Sequence, residues 1–180
     1  LTETNAVGCI SGQDDYIDRP GSVGRPTAPL VELRIVNEQG EAVEQGEAGE
    51  ICFRSPAIAG GYWNCPEESA EVFADGWVRT GDAGYLDAEG FLYIVDRLKD
   101  IIRRGGENIS CLEVEEALYS HADIVEVAVF SLPDERLGEI VGAVVMVAGG
   151  SELQGTDIQG FLSSRLAAYK IPQHLYLQSE

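Results

Sequence analysis

Short stretches of apolar or alternating residues in the first half of the chain predict β-structure. Three of them predict strands: residues 30–36, 51–53 and 91–95. Asn, Asp and Gly predict turns at residues 37–40 and 87–90. Pro66 and the two acidic residues after it predict the start of a helix that ends at residues 75–76. Residues 5–29 are rich in Gly, Pro and Asp and predict a loop, so this half is expected to be mainly β.

The second half combines helical and strand patterns. The spacing of Ser110 to Glu113, and of Thr156 to Gln159, is that of a capping box at the start of a helix. Apolar residues behind these caps fall on one helix face: Val114, Ala117 and Leu118, then Ile158, Phe161, Leu162 and Leu166. Four stretches predict strands: residues 99–103, 125–129, 140–147 and 175–177. The predicted fold class is therefore α+β.

The composition is that of a globular protein. With 180 residues and 44% hydrophobic residues, the chain can form one or two small domains. No apolar run approaches the ~18 residues that predict a transmembrane segment. No basic and apolar N-terminal segment suggests a signal peptide, although the chain begins within a motif and a removed signal stays open.

The cysteines and histidines argue against a zinc site. The four cysteines, Cys9, Cys52, Cys65 and Cys111, are widely spaced, and no CxxC pair is present. Reduced, buried or half-buried thiols in a cytoplasmic protein fit this pattern. The two histidines, His121 and His174, are expected to be structural.

The charge distribution singles out one segment. The net charge of −19 argues against nucleic-acid binding. Within this acidic chain, four of the twelve Lys and Arg residues fall within eight positions: Arg97, Lys99, Arg103 and Arg104. They form either a basic strand that balances an acidic body or a site for the phosphates of a nucleotide or coenzyme.

Two motifs in this region can carry chemistry. Asp82 follows Thr80-Gly81, which we expect to form a turn, and a carboxylate there can accept hydrogen bonds from both hydroxyls of a ribose. Arg97, fifteen positions later, offers a planar set of donors. The alternatives are a turn-capping aspartate and a surface salt bridge. The pair Gly105-Gly106 exposes a backbone edge to a ligand or forms a tight turn, and both can hold.

The order of these motifs resembles the adenylate-forming superfamily, which contains acyl-CoA synthetases, peptide-synthetase adenylation domains and beetle luciferases. The segments that carry the resemblance run through most of the chain: residues 1–4, 21–26, 46–51, 60–63, 77–82, 96–100 and 104–109. The Gly-Gly-Glu-Asn-Ile sequence at 105–109 is most similar to fatty-acyl and aryl-acid CoA ligases.

The resemblance also implies a domain organisation. Residues 1–98 would be the C-terminal, mainly β part of the large AMP-binding domain, and residues 99–180 a small, mobile α/β C-terminal domain that stops before the adenylation lysine. Composition alone does not place this boundary, because no Pro/Gly-rich linker lies near Leu98 and Lys99.

By the same resemblance, the first part of the chain supplies residues for ATP. Asp82 would hold the ribose, and Arg97 would contact the ribose and phosphate side of the adenylate. Ile94 matches an apolar position near the nucleotide, with an ordinary core residue as the alternative. Thr2 would contact the α-phosphate and Glu3 would bind Mg²⁺.

The second part would serve coenzyme A and the thioester step. Lys99 matches the hinge about which the C-terminal domain rotates, and Glu107 and Asn108 would line the face that forms the thioester. Further positions match the site of CoA: Arg103 and Arg104 for phosphates, Gly105 and Gly106 for the pantetheine arm, and Tyr169 near the adenine. A core tyrosine is the alternative for Tyr169.

The implied function is that of an ATP- and Mg²⁺-dependent acyl-CoA synthetase for a fatty or aryl acid. The family's phosphate loop, acyl pocket and adenylation lysine are missing, and Lys170 precedes the position of that lysine. The fragment alone is therefore expected to be inactive. A peptide-synthetase adenylation domain, a non-catalytic nucleotide- or CoA-binding module and, more remotely, a luciferase are the alternatives. Exposed core surface would favour a homo-oligomer.

Overall fold

The chain folds into two compact units, Leu1–Leu98 and Lys99–Glu180. The structure is a computed structural model, and it describes residues 1–6 and 8–179, with the side chain of Gln13 left aside. Both units combine antiparallel strands with short helices, and the predicted α+β fold class is confirmed. Within the described residues, no helix has the length and apolar character needed to cross a membrane.

The first unit is built on an antiparallel sheet of five strands. In chain order the elements are β1 (Cys9–Ile10), α1 (Gln13–Asp18), β2 (Arg25–Pro26), β3 (Glu32–Val36), β4 (Gly49–Arg54), α2 (Pro66–Val72), β5 (Phe73–Ala74), β6 (Trp77–Leu86) and β7 (Leu92–Arg97). The sheet runs β3-β4-β6-β5, and β7 also pairs with β6. Strand β6 is thus bordered by three neighbours, which makes it the structural centre of this unit.

The core of the first unit comes from the apolar face of this sheet. Its buried residues are Val31, Ile35, Ile51, Phe53, Val78 and Leu92. Alternation along β3 puts Ile35 on this face and leaves Glu32 exposed, as the sequence pattern predicts. The predicted turn at 37–40 is closed by the Gly40 amide, which donates to the Asn37 carbonyl at 3.0 Å.

The second unit is a five-stranded sheet covered by two helices. Its elements are β8 (Ile101–Arg104), β9 (Glu107–Ser110), α3 (Cys111–Tyr119), β10 (Ile124–Asp134), β11 (Gly138–Val147), α4 (Gly155–Leu162) and β12 (His174–Ser179). The sheet runs β10-β11-β8-β9, with β12 parallel to β11. Val114 and Leu118 of α3 and Ile158 and Leu162 of α4 are fully buried in one core with residues of β11.

The helix starts agree only partly with the predicted caps. The hydroxyl of Ser110 accepts from the Glu113 amide at 3.1 Å, so the predicted cap of α3 is confirmed. Helix α4 begins earlier than predicted, because Gln154 is its cap and the Asp157 carboxylate accepts from the Gln154 amide at 3.0 Å. Asp157, at the third helical position, binds back to the Gln154 amide and so determines this start. The prediction that the helix begins with a cap at Thr156 was therefore wrong.

Three other predictions need correction. Residues 5–29 are not all loop, since β1, β2 and the six-residue helix α1 lie there and are too short to leave a periodic pattern. Helix α2 ends at Val72, and residues 75–76 form the turn between β5 and β6. Lys99 lies in a 3₁₀ turn, Leu98–Asp100, and the predicted strand starts only at Ile101.

Candidate functional site

Strands β6 and β7 bring the two principal nucleotide candidates face to face. Asp82 and Arg97 are directly paired positions of these antiparallel strands. Arg97 Nε lies 3.7 Å from Asp82 Oδ1, and the side chains are 66% and 28% exposed, respectively. This distance is longer than a direct hydrogen bond. The pair is therefore an ion pair at the surface in which the carboxylate can still accept hydrogen bonds from a ligand.

Asp82 is presented by a bulge inside β6 and not by the turn that the sequence predicted. Glu50 pairs with Ala83 and Cys52 with Arg79, so three residues of β6 lie opposite one residue of β4. Gly81 has a φ of 72°, a conformation that favours glycine. The Thr80 hydroxyl donates to the Ile51 carbonyl at 2.9 Å and accepts from the Asp82 amide at 3.0 Å.

A cleft of about 240 Å³ lies beside this bulge. Asp82, Thr80 and Ile94 line it together with apolar residues of the sheet. Ile94 is 49% exposed, so it does not belong to the buried core of the first unit. Burial raises the pKa of the Asp82 carboxyl, while the charge of Arg97 acts in the opposite direction. The cleft thus combines an acceptor for hydroxyls with an apolar wall, and Arg97 pairs with that acceptor.

Thr2 and Glu3 lie in a 3₁₀ turn, Thr2–Thr4. The last residue of this turn, Thr4, and the preceding Leu1 line the same cleft. The Tyr62 hydroxyl donates to the Glu3 carboxylate at 2.7 Å, and this bond lowers the pKa of Glu3. The Ala59 amide also donates to the Glu3 carbonyl at 2.9 Å. Thr2 is exposed. These contacts fix the turn on the segment around residue 60.

Glu3 fits Mg²⁺ only as one ligand among several. No group of three or more potential metal ligands occurs among residues 1–6 and 8–179. Mg²⁺ is usually held by one or two carboxylates together with phosphate oxygens and water. An ionised Glu3 that Tyr62 holds in place can supply the carboxylate ligand of such a site, with phosphate oxygens and water as the other ligands.

Candidates for coenzyme A are grouped on the hairpin of β8 and β9. In this hairpin Arg103 pairs with Asn108 and Arg104 with Glu107, around the turn Gly105-Gly106. Both glycines have positive φ values, 60° and 94°. The two glycines therefore form the predicted tight turn, and every residue from Gly105 to Asn108 is exposed.

A second hairpin supports this glycine turn. The Gly105 amide donates to the Leu137 carbonyl at 2.8 Å, and Gly138 pairs with Arg104. A Cβ atom on Gly105 would lie 3.0 Å from the Leu137 side chain. The backbone of the turn is thus held from the β10–β11 connection, which the sequence interpretation did not include in the site.

Lys99 and Tyr169 occupy different environments in the second unit. Lys99 is exposed and lines a cleft of about 150 Å³ that is otherwise formed by residues 100–102, 111 and 129–131. Tyr169 is half-buried in the 3₁₀ turn Ala168–Lys170 and packs against the core of this unit. Its packing supports the core alternative at least as much as a role near an adenine.

Two further residues near the site had no role in the sequence interpretation. Glu50 is 7% exposed and contacts the bulge of β6, and Tyr62 binds Glu3. Both occur in segments whose glycines marked them as motifs, residues 46–51 and 60–63. Pattern alone did not distinguish the residues of these segments that support the site from those that merely form turns.

Comparison with known sequences identifies both parts of the chain. The sequence model of AMP-binding enzymes matches residues 1–63, and the model of the AMP-binding enzyme C-terminal domain matches residues 113–180. The chain is 46% identical to a long-chain-fatty-acid–CoA ligase of Bacillus subtilis over 91% of its own length and 29% of that protein. It is 41% identical to an oxalate–CoA ligase of Arabidopsis thaliana over 88% of its own length and 30% of that protein. The chain thus spans about a third of the length of these curated relatives.

A solved structure agrees over nearly the whole chain. The o-succinylbenzoate CoA synthetase of Bacillus subtilis, in complex with its acyl-adenylate intermediate, superimposes with a TM-score of 0.89 at 34% identity. The match covers 99% of this chain and 36% of that protein, and it therefore includes the residues between the two family matches. Other structures of that protein contain AMP, or ATP and a magnesium ion. The chain thus belongs to the family of AMP-binding, adenylate-forming enzymes, in agreement with the resemblance found in its sequence.

Proposed function

We propose that the full-length protein containing this chain joins a carboxylic acid to AMP, releasing pyrophosphate, and then transfers the acyl group to the thiol of coenzyme A. Relatives at 41–46% identity are named as CoA ligases for oxalate, long-chain fatty acids and ferulate. Such a reaction depends on positioning and on neutralising phosphate charge, because the chemistry lies in the substrates.

The pairing of Asp82 with Arg97 beside the cleft carries this proposal. A partly buried carboxylate accepts hydrogen bonds from the two ribose hydroxyls of ATP. Arg97, mostly exposed, reaches the ribose and phosphate side with the planar set of donors of its guanidinium. Ile94 supplies apolar surface near the nucleotide.

Thr2 and Glu3 serve the phosphates. The Thr2 hydroxyl donates to the α-phosphate, and Glu3 is the protein ligand of a Mg²⁺ ion that the phosphates also bind. The bound ion supplies positive charge where negative charge develops. The hydrogen bond from Tyr62 orients the Glu3 carboxylate and keeps it ionised, as second partners of metal ligands commonly do.

The second unit serves the thioester step. The backbone at Gly105 and Gly106 receives the pantetheine arm, and Arg103 and Arg104 meet phosphates of coenzyme A. Glu107 and Asn108 line the surface on which the thioester forms, and Tyr169 lies near the adenine. Lys99 is the hinge residue, because the first unit ends at Leu98 and the second begins at Lys99.

The chain by itself does not form an adenylate. It spans about a third of the length of its relatives, and the nearest lysine to the family's adenylation position is Lys170. Both carboxylate oxygens of Glu113 bind Lys170 Nζ at 2.6 Å. That lysine therefore has a structural partner in the second unit.

ATP–pyrophosphate exchange in the full-length protein tests the proposal, with a panel of short, medium, long and aromatic acids. We expect exchange that depends on a fatty or aryl acid, and a CoA thioester detected by mass spectrometry. Exchange without thioester would indicate a peptide-synthetase type that uses a carrier protein. A folded protein without exchange on any acid would indicate a non-catalytic nucleotide- or CoA-binding module and contradict the proposal.

A further inference from the structure

Glu50 is a buried carboxylate inside the sheet of the first unit, with 7% of its surface exposed. A buried charge is costly unless it is paired and hydrogen-bonded. Its Oε2 atom accepts from Arg79 Nε at 2.8 Å and also contacts the terminal nitrogen of Arg79. Its Oε1 atom accepts from the Gly81 amide at 3.2 Å. Oε2 thus pairs with the charge of Arg79, and Oε1 holds the backbone amide of Gly81.

The backbone group that Glu50 holds is the apex of the bulge that carries Asp82. A bulge leaves extra residues of one strand without a partner on the neighbouring strand. Gly81 is such a residue, and its conformation at φ 72° turns its amide out of the normal ladder. Glu50 supplies the acceptor that the ladder does not, so the Gly81 amide is satisfied inside the sheet.

The next residue after that amide is the nucleotide candidate. Asp82 lines the cleft and pairs in register with Arg97, so a small rotation of the Gly81-Asp82 peptide would move its carboxylate relative to the ligand. Thr80 fixes the other side of the bulge through the Ile51 carbonyl. The Glu50 carboxylate and the Thr80 hydroxyl thus determine the position of Asp82.

We propose that Glu50 is a positioning residue for nucleotide binding, which holds the Gly81 amide and thereby fixes Asp82 against the ribose. It does not touch the substrate. The inference rests on the proposed function, since it assigns Asp82 to ATP. The inference goes beyond the proposed function because Glu50 acts on Asp82 from the neighbouring strand β4, through the backbone amide of Gly81.

The same sheet contains a matched ion pair for control. Glu32 of β3 binds Arg54 of β4 through two contacts, as Glu50 binds Arg79, but Glu32 is exposed and its pair is not at the bulge. Losing Glu32 removes an arginine partner of the same kind without removing an acceptor for Gly81.

The experiment compares Glu50→Ala, Glu50→Gln and Glu32→Ala in the full-length protein. The measurements are kcat and the KM values for ATP and for the acid, together with the AMP dissociation constant and the hydrogen-exchange protection of the Gly81 amide. We expect Glu50→Ala to raise KM for ATP and the AMP dissociation constant about tenfold, to leave KM for the acid unchanged, and to lose protection at Gly81. Glu50→Gln keeps an acceptor oxygen for Gly81, so we expect it to stay within about threefold of the unchanged protein.

The outcomes separate this inference from the function on which it rests. The positioning role alone would be overturned if Glu50→Ala left Gly81 unprotected but bound ATP and AMP as tightly as the unchanged protein. It would also be overturned if Glu32→Ala lost as much ATP and AMP affinity as Glu50→Ala. A decrease in kcat with unchanged KM values, which reflects fewer folded molecules, would also overturn it. If the unchanged protein binds no AMP, the proposed function fails together with the inference. Gly81 protection is measured without nucleotide, so it shows whether the bulge contact exists in either case.

Discussion

The two units present their candidate sites in different ways. In the first unit, side chains on two long strands form the site, with Asp82 partly buried and Arg97 opposite it. In the second unit, the candidates are on an exposed hairpin, and its turn consists of two glycines with positive φ values. The first arrangement suits recognition of hydroxyls and charge by side chains, whereas the second offers backbone to a narrow ligand.

This contrast extends to what supports each site. The Asp82 bulge is held from the neighbouring strand by the Glu50 carboxylate and by the Ile51 carbonyl, which accepts from the Thr80 hydroxyl. The glycine turn is held by the Leu137 carbonyl from a neighbouring hairpin. In both units the support comes from residues distant in sequence, and each therefore offers a substitution that should affect one ligand and spare the other.

The largest effect should follow the loss of the Asp82 carboxylate. Asp82→Asn removes the charged acceptor for two ribose hydroxyls, so we expect AMP affinity to fall about 100-fold in the full-length protein, with little change in CoA affinity. Titration calorimetry measures both. The control is Asp75→Asn, because Asp75 is an exposed turn residue at φ 52°, a conformation that asparagine also adopts. If Asp75→Asn lost as much AMP affinity as Asp82→Asn, the assignment of ribose binding to Asp82 would be contradicted.

A substitution in the glycine turn should have the opposite selectivity. Gly106→Ala places a side chain at φ 94°, which costs about 1–3 kcal/mol of strain in the turn. We expect KM for CoA to rise about tenfold while pyrophosphate exchange stays unchanged. Gly149→Ala is the control, since no atom lies within 4 Å of the added Cβ and its φ lies outside the strained range. Impaired exchange in Gly106→Ala would contradict a role confined to the thioester step.

The pH dependence should reveal the partly buried carboxyl of the first unit. Burial raises the pKa of Asp82, so AMP affinity should begin to fall at a higher pH than it would for an exposed aspartate. A raised pKa also means that the ionised form costs stability, and this cost disappears as the pH falls below the unfolded value. Asp82→Asn should therefore raise the unfolding temperature at pH 7 and leave it unchanged near pH 3. A stabilisation that grows toward acid pH would contradict the burial of this group.

The smallest effect concerns the lysine of the second unit. Lys170→Met removes the ion pair with Glu113, in which the side chains are 19% and 44% exposed. Because such pairs contribute little, we expect a loss of about 0.5–1 kcal/mol in the unfolding free energy of the protein. Pyrophosphate exchange should not change. Its abolition in a folded variant would identify Lys170 as a participant in adenylation and contradict the structural role.

Sequence patterns predicted the regular elements better than the details of the site. Alternation and buried runs indicated β3, β4, β7 and β11, and the cap at Ser110 indicated α3. These features depend on local spacing. The resemblance singled out Asp82 and Arg97, but their alignment across β6 and β7 comes from strand register, which no local pattern determines.

The sequence-based predictions were wrong where a contact from another strand determines the backbone conformation. Thr80-Gly81 was predicted as a turn because Gly with a small polar neighbour is typical of turns. In the structure the acceptor from Glu50 allows the same residues to bulge within a strand. Similarly, the support of Gly105 by Leu137 depends on two hairpins meeting, 32 residues apart in the chain.

Amide chemical-shift mapping of the isotopically labelled 180-residue chain, titrated separately with AMP and with coenzyme A, tests the division of roles most directly. We expect AMP to shift the amides of Gly81, Asp82, Ile94 and Arg97, and coenzyme A to shift those from Arg103 to Asn108. Shifts of one common set by both ligands, or no shifts at either site in the folded chain, would contradict this division of roles.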